Sequence, residues 1–309
     1  MSDQRRGGIA WTTETWNPIR GCSRVSAGCV NCYAERQAIR MAGPGQAYDG
    51  LVRMTSQGPK WTGRIAIAES KIGEPHRWTR PRKIFVNSMS DIFHESLADS
   101  DIDDIFRTMW LAAHHTYQVL TKRADRMHRY LSDPQTPWRI AAITSVSSNV
   151  DRSIAPIPWP LPNVWIGVSV EDQQRASERI PLVLRAPAAV RWISAEPLLG
   201  PLSDLRGIWN HCPEHDFASG FCIDRRHLGV RWLDWVVVGG ESGPGARPMA
   251  LGWAKDIVRQ CRRAGVPVFV KQIGAHPTNR EGELHPISDR AGKNPDDWPA
   301  ELRVREWPL

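Results

Sequence analysis

The chain alternates between short runs that are apolar throughout and longer stretches in which apolar residues recur at helical spacing. The runs Lys83 to Asn87 (KIFVN), Tyr117 to Thr121 (YQVLT), Val164 to Val170 (VWIGVSV), Val190 to Ala195 (VRWISA), Trp235 to Gly239 (WVVVG) and Val266 to Val270 (VPVFV) predict six core strands. Helices are predicted between them at Asp101 to His114, Ala124 to Leu131, Asp172 to Leu184 and Trp253 to Ala264, the last stopped by Gly265 and Pro267. An early strand near Ile9 to Thr15 and a helix over Asn31 to Met41 make a further unit. Strands that are apolar on both faces and joined by helices pair in parallel. The expected fold class is therefore α/β, a partial (β/α) barrel of about six to seven parallel strands, with a doubly wound sheet as the alternative.

Three segments break the repeat: about 42–82, 133–162 and 200–233, all rich in Gly, Pro or Trp. They read as insertions in a single domain over residues 1–309. In a strand-helix barrel the chemistry gathers on the loops after the strands, and this chain places polar groups there repeatedly. Asn87, Ser88, Ser90 and Asp91 follow one strand and Thr121, Lys122 and Arg123 the next. Ser169 and Glu171, Ser194 and Glu196, Gly239, Gly240 and Glu241, and finally Lys271 and Gln272 follow the others. Lys122, Arg123 and Lys271 suit gripping a carboxylate or phosphate, and their bland reading is a solvated rim charge. For Asp91, Glu171 and Glu196 the bland reading is a structural ion pair. His94 and Glu95 read as ordinary helix-start residues. The stretch GGESGPG offers exposed amides that suit a phosphate or a base, or simply a tight turn.

Apolar content of 41% and charged content of 24% describe a globular protein with no apolar run long enough for a membrane span. Met1 to Gly8 lack the apolar stretch of a secretory signal, so a cytoplasmic location is expected. There the six cysteines stay reduced and those that cluster bind metal or do chemistry. A net charge of +7 favours a polyanionic partner such as nucleic acid or nucleotide, against a basic surface without a specific partner. Some of the fifteen tryptophans could stack on bases, most being core.

The cysteines concentrate near the start, where WNPIRGCSRVSAGCVNCYAE sets Cys22, Cys29 and Cys32 in a C-x6-C-x2-C arrangement between the first strand and the first helix. Three thiolates on one loop complete three of the four iron corners of an iron-sulfur cluster and leave one iron open. The alternative is zinc, closed by a fourth ligand such as His76, His94 or Cys261. A second zinc site is read at His211, Cys212, His215 and Cys222, with His227 close behind.

This stretch resembles the radical S-adenosylmethionine (SAM) superfamily, whose three-cysteine loop follows the first strand of a partial α/β barrel. Together with NSMSDIFHE, LTKR, ISAEPL and VVVGGESGPGARPM it also resembles a family of phage and bacterial proteins, over Trp16 to Met249. Six residues instead of three separate the first two cysteines, and Tyr33 follows the last cysteine instead of preceding it. The resemblance implies a [4Fe-4S] cluster on Cys22, Cys29 and Cys32, with SAM on the open iron. It implies SAM-amino contacts at Ser88 and Asp91 and ribose contacts at Ser169 and Glu171; Gly239, Gly240 and Glu241 would lie near adenine. Lys122, Glu196 and Lys271 become candidates for the reaction itself. Reductive cleavage of SAM to a 5′-deoxyadenosyl radical would need an electron donor such as flavodoxin or ferredoxin, and the radical would take hydrogen from a substrate, with nucleic acid or nucleotide favoured by charge. The competing reading is a zinc-stabilised nucleic-acid-binding protein without catalysis.

Overall fold

The computed structural model describes residues 9–148, 155–203, 205 and 232–308. Seven strands form one sheet: β1 (Glu14–Trp16), β2 (Lys83–Val86), β3 (Thr116–Thr121), β4 (Val164–Ser169), β5 (Val190–Ala195), β6 (Trp235–Gly239) and β7 (Val268–Gln272). Their order in the sheet follows the chain from β1 to β7, and the ladders are parallel. A doubly wound sheet reverses its order at a switch point; this one does not. The fold is α/β of the partial (β/α) barrel class, as the apolar runs predict. Helices α1 (Tyr33–Ala38), α2 (Asp99–Leu111), α3 (Ala124–Ser132), α4 (Thr136–Ser148), α5 (Gln173–Arg185) and α6 (Leu251–Ala264) lie between strands. Among the described residues no helix is long and apolar enough to cross a membrane.

The chain clusters into two compact units. The first spans Met1–Ser169 with Ala186–Val190 and Gly243–Gly245 and carries β1 to β4. Ile84, Phe85 and Val86 of β2 are all buried, as a strand covered on both faces requires. Trp11 packs edge-on against Phe85 at 4.8 Å, and Gln118 donates to the Trp11 carbonyl at 3.4 Å. Helix α2 buries Ile102, Ile105, Phe106 and Met109, a stripe at helical spacing. Truncating Phe106 to Ala would cost about 3–5 kcal/mol.

Two of the segments read as insertions carry elements of their own in this unit. The stretch before β2 forms an antiparallel hairpin, Val52–Thr55 against Gly58–Trp61, and Ala66–Ile67 pairs antiparallel with Ile19–Arg20. The stretch after α3 contains α4.

The second unit spans Val170–Arg185, Arg191–Ser242 and Ala246–Leu309. Its strands bury Trp192 and Trp235, whose rings lie 5.4 Å apart, and Trp307 stacks on Trp235 at 5.2 Å. Helix α6 turns Ala254, Ile257, Val258 and Cys261 inward and ends at Gly265, whose φ of 63° is the left-handed conformation that glycine adopts without strain. Cys261, one of the candidate fourth zinc ligands, is therefore a core residue of this unit, and burial pushes its thiol well up.

Candidate metal centre

The cysteine loop leaves β1 at Trp16 and is pinned at once. Asn17 Oδ1 accepts from Ser88 Oγ and from the Met89 amide, both at 3.1 Å, and Ser90 Oγ donates to the Ile19 carbonyl at 2.7 Å. Gly21 then turns with φ 84°, and a Cβ at that position would stand 2.3 Å from the Arg64 carbonyl oxygen. Only glycine lets the chain pass there, and it delivers Cys22 next. Cys29 closes a short 3-10 turn, Ala27–Cys29, and Cys32 occupies the N-cap of α1. All three thiols are half-buried and free.

The loss of water around Cys22 pushes its thiol up to about 12; Arg123 pulls the other way, while Asp91, Cys32 and Cys29 add to the rise. Burial also raises Cys32, opposed by hydrogen bonds from the Glu35 and Ala34 amides. The three thiols thus lie within electrostatic reach of one another, with a cation at one and helix amides at another. Among the described residues no group of three or more His, Cys, Asp or Glu side chains is arranged to hold a metal ion as it stands. The donor chemistry nonetheless fits an iron-sulfur cluster: three soft sulfurs on one loop, with N–H donors placed to stabilise thiolates.

Arg123, at the end of β3, braces the loop. Its side chain is only 4% exposed. Nη1 lies 3.1 Å from Asp91 Oδ2 and 3.9 Å from Cys22 Sγ; Nη2 donates to Ser23 Oγ at 2.7 Å and to the Ser23 carbonyl at 3.2 Å; Nε reaches both Glu95 oxygens at 2.9 Å. Burial by itself lowers the guanidinium, but the carboxylates of Asp91 and Glu95, with Cys22 beside them, outweigh it and hold Arg123 ionised. Asp91 is in turn saturated, accepting from Thr121 Oγ at 2.8 and 2.9 Å, the Lys122 amide at 3.1 Å and the Phe93 amide at 3.0 Å. His94 accepts the Ser96 amide on Nδ1, so Nε2 carries the proton and donates to Ser23 Oγ at 3.0 Å.

On the other side of the loop, buried Glu35 accepts from Arg24 Nε at 3.0 Å and from the Trp61 amide at 2.9 Å, tying loop, helix and hairpin together. Tyr33 donates its hydroxyl to the Ser88 carbonyl.

Of the residues singled out from sequence, Ser88, Asp91, Lys122 and Ser169 belong to this unit. The hydroxyl of Ser88 and the carboxylate of Asp91 are both engaged in shaping the loop. Lys122 Nζ lies 3.4 Å from Ser169 Oγ. Sequence reasoning offered His94 at the cysteines only as a fourth ligand to zinc and Arg123 only as a grip for a carboxylate or phosphate, and it gave Glu35 no role. It placed Asn87 only among the polar groups after the strand; the residue is 4% exposed, has a left-handed φ of 57°, and leaves both amide atoms without a partner. A buried amide left unpaired costs about 1–3 kcal/mol, which marks Asn87 as a group awaiting a partner at the end of β2.

The remaining candidates lie in the second unit, and the three acids among them each stand beside a cation. Glu171 is fully buried against Arg179 at 3.1 Å, and Glu196 pairs with Lys271 at 2.6 Å. Glu241 takes Arg247 in a fork, 2.9 Å to Nε and 2.7 Å to Nη2. Gln272 donates to the Gly240 carbonyl at 2.8 Å. A Cβ on Gly240 would stand 2.6 Å from the Ile273 carbonyl and one on Gly239 3.2 Å from the Glu196 carboxyl, so both glycines serve close packing. His211, Cys212, His215, Cys222 and His227 lie outside the described residues.

A model of the family described as "Protein of unknown function (DUF5131)" matches residues 6–299. No curated protein and no solved structure matches the chain.

Proposed function

This chain belongs to the DUF5131 family, and we propose that it is a radical SAM enzyme whose [4Fe-4S] cluster is held by Cys22, Cys29 and Cys32. The observation that carries the reading is the address of these cysteines: one loop, directly after the first strand of a parallel sheet, with the Arg123 cation against Cys22. Bound there and reduced by one electron from a donor such as flavodoxin or ferredoxin, the cluster would pass that electron to SAM, whose C5′–S bond would break to give methionine and a 5′-deoxyadenosyl radical able to take a hydrogen atom from the substrate.

The rest of the work falls to the chain's own side chains. Arg123 offsets thiolate charge at Cys22 and, through Ser23, fixes the path of the loop; Asp91 and Glu95 hold Arg123 in place. Amides of Ala34 and Glu35 face Cys32. Lys122 and Ser169 stand together at the ends of β3 and β4, where an ammonium and a hydroxyl suit the carboxylate and hydroxyl groups of SAM. Asn87 has an amide NH2 donor group and a carbonyl acceptor to offer a bound ligand. In the second unit Glu196 and Lys271 form a pair able to hold or pass a proton between Oε1 and Nζ.

The test is incubation of anaerobically purified protein with SAM and dithionite. Formation of 5′-deoxyadenosine, lost in Cys29→Ala, is expected. Absence of that product from protein with an intact cluster would reject radical chemistry, and a colourless protein with stoichiometric zinc would favour a non-catalytic nucleic-acid-binding protein.

A further inference from the structure

The basic character of this protein is local. Between Arg20 and Lys83 the chain carries twelve Lys and Arg against four acids, Glu35, Asp49, Glu69 and Glu74, a net charge of +8. The rest of the chain carries 28 Lys and Arg against 29 Asp and Glu. The whole positive balance of +7 is therefore contributed by the segment holding the cysteine loop, α1 and the hairpin.

Three of these cations face acids: Arg24 with Glu35, Lys71 with Glu74, and Arg82 with Glu14. Arg20, Arg36, Arg40, Arg53, Lys60 and Arg64 have no acidic partner among the described residues. Arg53 and Lys60 are directly opposite each other across the hairpin, a like-charge cross-strand pair that destabilises a sheet unless an anion lies over it. Arg20 rests its guanidinium 6.0 Å from the Tyr48 ring, and Arg36 spends one hydrogen bond on the Pro244 carbonyl; neither has its charge matched.

These cations sit on a firm base. Ala34, Ala38, Tyr48, Leu51, Val52 and Met89 form a small core of their own, and Cys32 and Trp61 pack on it. A rigid base separates this surface from the flexible polybasic segments that adhere to membranes. Nine of the twelve cations are arginine, the side chain whose planar fork matches phosphate oxygens. The Tyr33 ring, 46% exposed and next in sequence to Cys32, offers a stacking face beside the cations.

We infer that the surface made by α1 and the hairpin of residues 52–61 is a docking site for the phosphate backbone of a nucleic acid. The inference deepens the proposed function by naming the substrate class, yet docking on these cations needs neither cluster nor SAM, so the two readings fail separately. Oligonucleotide binding without 5′-deoxyadenosine would leave the docking site standing and remove the radical reading; the product without oligonucleotide binding would do the reverse.

The experiment is fluorescence anisotropy of the purified full chain with a labelled oligonucleotide of about 20 nucleotides, single-stranded and as a duplex, between 50 and 200 mM salt. Three proteins are compared: the parent, Arg53→Gln/Lys60→Gln, and Arg262→Gln/Arg263→Gln at the exposed end of α6. The hairpin variant removes a repulsive pair, so its fold is retained and thermal melting checks this. The parent is expected to bind with affinity falling steeply with salt, while the hairpin variant binds more weakly and loses roughly tenfold less over the same salt range, as two missing phosphate contacts require. The α6 variant is expected to match the parent. Absence of binding to either oligonucleotide at 50 mM salt, equal weakening by both variants, or binding only to anionic phosphatidylserine vesicles would overturn the proposal.

Discussion

Replacing Arg123 by Met keeps most of the side-chain volume and removes the charge that links β3 to the cysteine loop. The loss is dominated by Asp91, whose side chain is 8% exposed and would be left without its cation at 3.1 Å. Breaking one partner of a buried pair costs about 3–5 kcal/mol. Here Thr121, Lys122 and Phe93 still donate to the carboxylate, so the low end, about 3 kcal/mol, is expected. The contact with Glu95 adds under about 1 kcal/mol because that carboxylate is 62% exposed. Asp91→Asn should cost about 2–3 kcal/mol, and the double variant less than the sum by about 2 kcal/mol, since removing both charges leaves neither stranded. Urea unfolding of the four proteins, followed by tryptophan fluorescence, measures the cycle. Additive single effects, or an Arg123→Met cost below about 1 kcal/mol, would refute the idea that this pair braces the loop.

Two further outcomes follow from the same geometry. His115 is buried with Nδ1 accepting the Arg82 amide at 3.2 Å and Nε2 donating to the Pro75 carbonyl at 3.1 Å. Burial lowers its pKa, the Pro75 contact opposes this, and His114 and Arg82 lower it further. The unfolded chain then binds the proton more readily, so stability is full above the ordinary value near 6.5 and declines as pH falls below it. His115→Gln should flatten part of that decline between about pH 7.5 and 5.5, leaving the share due to His76 and His94, which burial also lowers; an unchanged slope of urea midpoint against pH would sink the assignment. Gly21→Ala adds a Cβ against the Arg64 carbonyl on top of the ~1–2 kcal/mol of a left-handed backbone. Iron content per chain should fall steeply while far-UV circular dichroism stays unchanged, and parental iron content would count against the loop path described.

Parallel strands were legible because burial on both faces leaves them as uninterrupted apolar runs, and WVVVG and KIFVN needed no tertiary information. The hairpin of residues 52–61 was not, because VRMTSQGPKW has little alternation and carries Pro59 inside a strand. Helix α4 was hidden by β-branched residues in TPWRIAAITSVSS that weaken a helical signal. At the site, the cysteine spacing is a local property and shows in sequence. The pairing of Arg123 with Asp91 and Ser23 joins segments far apart in the chain, and the orphaned amide of Asn87 exists only once its neighbours are in place. Charge was legible as a total but not as a location until the hairpin and α1 were seen to share one core with Cys32.

The central claim, that Cys22, Cys29 and Cys32 together hold an iron-sulfur cluster, is tested most directly by iron and acid-labile sulfide analysis of the anaerobically purified chain and its three single Cys→Ala variants. The account predicts about four irons and about four sulfides per parent chain, and near-complete loss in each variant. Stoichiometric zinc with no sulfide, or a parental cluster surviving the loss of any one of the three cysteines, would contradict it.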